Sequence, residues 1–93
     1  MDNYVDLLKN QIDNLYGRIY KEKDIIIAYN LIENGKSGYK NIFMLPEIIN
    51  KNLQVGNYRR AARYFFLAEK LMEEVEQNHC RIQQEITDYM IRD

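Results

Sequence analysis

Ninety-three residues make a single domain, 1–93, able to bury about 60–65% of its unfolded surface around one layer of core. Hydrophobic content of 46% and charged content of 29% exclude a disordered chain, and one proline with four glycines leaves too few turn residues for an all-β domain. The net charge of −1 is unevenly spread: residues 1–34 sum to −2, residues 35–63 to +5 and residues 64–93 to −4. A basic middle between acidic ends favours antiparallel self-contact or an anionic partner.

Cys80 is the only cysteine, so neither a disulfide framework nor a thiolate metal cage is available. No apolar run approaches the roughly 20 residues that span a bilayer, and Met1-Asp2-Asn3-Tyr4 carries acid where a signal peptide carries positive charge. A cytoplasmic protein without membrane contact is expected. Abundant Asn, Ile and Tyr with no Trp suggest an AT-rich coding sequence, such as that of a low-GC bacterium or its phage.

In chain order, Asp2 or Asn3 can cap a first helix whose apolar seam runs Val5, Leu8, Ile12, Leu15, Ile19, Ile26 and Tyr29, with Glu22 as its polar exception. Asn34-Gly35 suits a helix stop, and Gly35-Lys36-Ser37-Gly38 reads as a loop. It is not a phosphate-binding loop: position 30 is Asn30 where a glycine is required, and a helix rather than a strand precedes it. Ile42 to Leu53 forms a short apolar segment, with Pro46 fitted to the first turn of a helix. After Gly56-Asn57, a second long seam runs Tyr58, Ala61, Phe65, Ala68, Met72, Val75, Ile82, Ile86 and Tyr89, with His79 as its exception.

Two such seams predict an all-α protein: an antiparallel hairpin of two long helices with a short middle helix, spanning roughly 45–55 Å and assembled into a helical bundle. Ile25–Ile32 and the start of the last helix are apolar on several faces, so the segment 42–53 should cover them at a thick loop end. The other end, holding Leu8, Ile12, Ile82 and Ile86, would be two helices thin. A second copy would complete a four-helix bundle there, so a homo-oligomer is expected.

Gly56-x-Tyr58-x-x-Ala61-x-x-x-Phe65-x-x-Ala68 resembles, over thirteen residues, the second-helix half of a tetratricopeptide repeat. Asn52 stands where that family keeps an aromatic and no second copy follows, so the resemblance implies close helix packing rather than membership.

Glu76-x-x-His79 has the spacing of di-metal carboxylate bundles, with Glu22 a conceivable second ligand. An antiparallel hairpin would hold Glu22 and His79 roughly 17–21 Å apart, so no metal and no other cofactor is expected. No nucleophile–base set is visible, and catalysis is not expected.

The strongest local feature is Tyr58-Arg59-Arg60-Ala61-Ala62-Arg63-Tyr64. Arg59, Arg60 and Arg63 share the face opposite the seam, where guanidinium forks can bind phosphate or carboxylate and Tyr58 or Tyr64 can stack. A solvated patch pairing with a neighbouring subunit is the competing reading. Nucleic acid is disfavoured, because Glu69, Glu73, Glu74 and Glu76 follow on the same helix. Tyr16 and Tyr20, one turn apart on an outer face, suit a partner surface. Two functions are therefore expected: a small adaptor or inhibitor that occupies a protein partner, or an oligomer sequestering a small anionic ligand such as a nucleotide.

Overall fold

A computed structural model describes residues 2–33 and 38–92, with side chains from Val5 onward. The described residues form helices and turns with no strand: α1 (Asp2–Lys21), α2 (Lys23–Ile32), a 3-10 turn (Ile42–Met44), α3 (Leu45–Gln54), α4 (Tyr58–Gln77) and α5 (His79–Ile91). The all-α class and the short middle helix match the sequence reading. The caps expected from Asp2 or Asn3, the helix stop at Asn34-Gly35 and the expected loop as far as Ser37 lie outside the described side chains and residues, and Gly38 is in a turn.

Each long seam is one helix with a single-residue break. At Glu22 the backbone N–H is shared between the carbonyls of Arg18 and Ile19, both at 3.2 Å. At Asn78 the side-chain amide donates to the Glu74 carbonyl at 2.8 Å, alongside the backbone N–H of the same residue at 3.0 Å. A side chain competing for a helix carbonyl is a standard cause of such interruptions. Pro46 occupies the first turn of α3, where its missing N–H costs no bond. At the other end Gly56 adopts φ +81°, with Asn57 N–H donating to Asn52 O at 2.8 Å and Gly56 N–H to Leu53 O at 3.2 Å. That is a Schellman stop, and it turns the chain directly into α4.

The direction of the long helices departs from the expectation. Arg18 meets Glu76, Glu22 meets His79, and Ile32 and Glu33 line a cleft with Tyr89 and Arg92. Partner numbers rise together, so α1–α2 and α4–α5 run parallel, not antiparallel. The reversal belongs to the middle segment: α3 packs against both α1 and α4, with Leu53 beside Val5 and Lys9 and Leu45 beside Leu67 and Leu71. A short loop forces neighbouring helices antiparallel; a connection that contains its own helix reverses the chain twice.

The expected cover of the start of α4 by the segment 42–53 is present, and Ile82 and Ile86 lie at the thin end as expected, but the two halves of the first long helix exchange ends. Leu8, Ile12, Leu15 and Ile19 are buried in the three-helix end with Leu45, Ile49, Leu53, Ala61, Ala68 and Met72. Ala61 and Ala68 are fully buried, and their small size lets α3 approach α4 closely. Ile25–Ile32 lies instead at the two-helix end, where only Ile26 and Ile82 are fully covered. The molecule measures 54 × 20 × 15 Å, and its 15.2 Å radius of gyration exceeds the figure of about 12 Å for a compact chain of this length.

Spin labels at Glu33 and Arg92, in a Cys80→Ser background, test the direction. Parallel helices give a separation of roughly 10–20 Å, whereas an antiparallel pair would hold the labels roughly 45 Å apart.

Candidate interaction surfaces

The long helices are joined along one side by a polar seam that the sequence reading did not assemble. Arg18 donates from Nη1 to both carboxylate oxygens of Glu69 at 2.8 and 2.9 Å, and from Nε and Nη2 to Glu76 at 3.1 and 2.7 Å. These hydrogen bonds hold the Glu76 carboxyl below its ordinary pKa and raise that of Arg18. One turn above, Nδ1 of His79 lies 2.8 Å from Glu22 Oε2. The sequence expectation that these two are far apart is therefore corrected; it failed because it assumed antiparallel helices. Still higher, burial raises the hydroxyl pKa of Tyr29 and Tyr39, whose rings lie 6.1 Å apart. Among the described residues no three His, Cys, Asp or Glu side chains converge in a metal-binding group.

The arginine-rich turn opens α4. Tyr58, Arg59 and Arg60, with Gly56 and Asn57, line an open depression of about 550 Å³. Arg59, Arg60 and Arg63 are exposed and make no ion pair or hydrogen bond with any described residue. Arg59 and Arg60 stand in the first turn of the helix, whose partial charge is positive, so an anion there would be doubly favoured. Tyr64 does not join them. It turns against the core and into a second concavity.

That concavity is a groove of about 470 Å³ between α3 and α4, with Met44, Leu45 and Ile48 on one wall and Tyr64, Leu67 and Leu71 on the other. Met44 is 58% exposed and Leu67 46%. The signal for it was present in the sequence as the apolar residues lying off the seam of α4. Their cover, α3, sits on one flank only.

Tyr16 and Tyr20 lie on the outer face of α1, and the Lys23 ammonium sits 4.3 Å from the centre of the Tyr20 ring. Parallel register puts Tyr20 level with Gln77, about 20 Å along the axis from Arg63, so these tyrosines and the arginines form separate surfaces. The Tyr16–Tyr20 stripe instead continues up α2 through Ile27 and Leu31, which are 48% and 71% exposed.

No family model, curated protein or solved structure matches this chain.

Arg18→Ala should lower stability by about 1 kcal/mol for each glutamate released, or some 4–8 °C in Tm per kcal/mol, the sites being partly exposed and screened. Because the folded-state pKa of Glu76 lies below its ordinary value of 4.5, its contribution is complete above that pH and disappears as pH falls through the folded value. Thermal melts between pH 7 and pH 3 should therefore show a loss of stability in the parent protein that is shallower in Arg18→Ala.

Proposed function

We propose that the protein acts without catalysis, as a helical interaction module that occupies a protein partner and works as a homo-oligomer. One observation carries the reading: α2, apolar on nearly every face, packs against α5 and meets Tyr39 through Tyr29, which leaves its outer face open. Ile27 and Leu31 of α2, and Tyr89, Met90 and Ile91 of α5, remain exposed around that two-helix end. The total accessible surface is 6784 Å². A compact monomer of 11.2 kDa would expose about 5,700 Å². The excess is larger than the roughly 800 Å² per partner that a stable interface needs. Two copies joined by their α2–α5 ends would complete a four-helix layer and leave the three-helix ends free for partners.

A cytoplasmic location accords with Cys80, which is free and exposed. No helix among the described residues is long and apolar enough to cross a membrane.

The unpartnered arginines support a second reading, in which the depression at Tyr58–Arg60 holds a small anion such as a nucleotide. Stabilisation of several degrees by ATP or pyrophosphate in a thermal-shift assay, lost in Arg59→Ala and Arg60→Ala, would favour it. A flat response to every anion would count against it.

Native mass spectrometry tests the primary reading. The parent protein should appear as a dimer or larger at micromolar concentration, and Ile27→Asp/Leu31→Asp should be a folded monomer. A monomeric parent would overturn the self-association.

A further inference from the structure

The groove between α3 and α4 is distinct from the two-helix end, and its chemistry describes what fits it. We infer that it is the docking site for an amphipathic helix of a partner protein, apolar on one face and acidic along its flanks. The inference rests on the reading of the chain as an interaction protein and names the partner's chemistry.

Three features argue for that occupant. The first is extent. Tyr64, Leu67 and Leu71 are spaced by three and four residues along α4, and Arg60 continues the stripe one turn earlier. The twelve residues from Arg60 to Leu71 rise about 17 Å, three turns, over which a docked helix presents side chains at i, i+3 or i+4, and i+7. The second is the lining. The walls are apolar, the volume of about 470 Å³ falls among those of binding pockets, and Met44 at the mouth is a side chain that adapts to irregular partners.

The third feature is charge. Helical spacing puts Arg63 and Lys70 one turn either side of Leu67 on the outer edge of the groove and Arg60 one turn before Tyr64, and Lys40 precedes Asn41 of the lining. None of these four cations has an ion pair or hydrogen bond with a described residue. Along the α3 edge of the groove Glu47 and Lys51 pair with each other at 3.4 Å, and Glu74 closes the upper end of the α4 stripe. An occupant with carboxylates on its flanks would meet the free cations while its apolar face fills the groove. A bare polyanion would satisfy the rim and leave the apolar walls wet. A second copy is the weaker match, because two of the glutamates on α4, Glu69 and Glu76, are already turned inward to Arg18.

The test is a displayed library of 14-residue helical peptides, apolar at i, i+3 or i+4, and i+7, with each flanking position either Glu or Lys, selected on the full-length protein. Glu-flanked peptides should be enriched more than tenfold. The enrichment should be lost on Leu67→Glu, or on Met44→Lys where circular dichroism finds Leu67→Glu unfolded, and should reverse to Lys-flanked peptides on Arg60→Glu/Arg63→Glu. Enrichment blind to flank charge, or none above that on the groove variants, overturns the inference. So does a drop in oligomer mass on Leu67→Glu, which would make the groove a contact between copies. Selection on Ile27→Asp/Leu31→Asp keeps the two readings apart: unchanged peptide preference in that variant leaves the groove standing whatever the oligomeric state.

Discussion

The fold depends on how closely α3 lies against α4. Ala61 and Ala68 present almost no side chain to that interface, and Leu45, Ile49 and Leu53 fill the space they leave. With this contact in place the chain has already reversed once between α2 and α3, and the Schellman stop at Gly56 reverses it again. The long helices must then run parallel. The same contact decides which end has three helices, because α3 is only ten residues long and reaches only the half of the molecule it lies on.

The sequence made the faces legible but not their direction. Apolar residues at spacings of three and four identify the buried stripe of a helix whichever way its neighbour runs, and the residues assigned to both seams are largely those found buried. Direction is a property of the connection. The apolar segment around Pro46 reads as a helix, but its pattern alone fits a cover laid over a hairpin as well as a full return of the chain. One clue did favour the parallel arrangement. Each seam has a single polar interruption, Glu22 in the first and His79 in the second, and a buried carboxylate needs a partner. Laid antiparallel, the two are separated by several turns; laid parallel, they meet, as they do at 2.8 Å.

The surfaces were less legible than the core, for a related reason. Tyr58, Arg59, Arg60 and Arg63 stand out as a run, and they are exposed. The groove is not a run. Its walls come from residues twenty or so positions apart, and it exists only because α3 covers α4 from one flank. Met44 and Leu67 look alike in sequence to the buried Leu45 and Met72, and only their place around each helix separates them.

Charge segregation on α4 ties the core to the surface. That helix carries both the arginines and four glutamates, and a reading of the sequence alone lets them neutralise each other. In the fold they cannot. Glu69 and Glu76 are seven residues apart on the side facing α1, where Arg18 holds both. Arg60 and Arg63 lie on the side facing away, toward the groove. Arg18 of α1 holds two of the helix's acids, and Arg60 and Arg63 make no ion pair with a described residue. Two of the four glutamates thus fasten the long helices together on one side of α4, while Arg60 and Arg63 on the other side have no acid within one turn of their own helix. Of the rim cations on α4 only Lys70 has acids within one turn, Glu73 and Glu74, so a carboxylate that arrives from outside meets Arg60 and Arg63 without a competitor on their own helix.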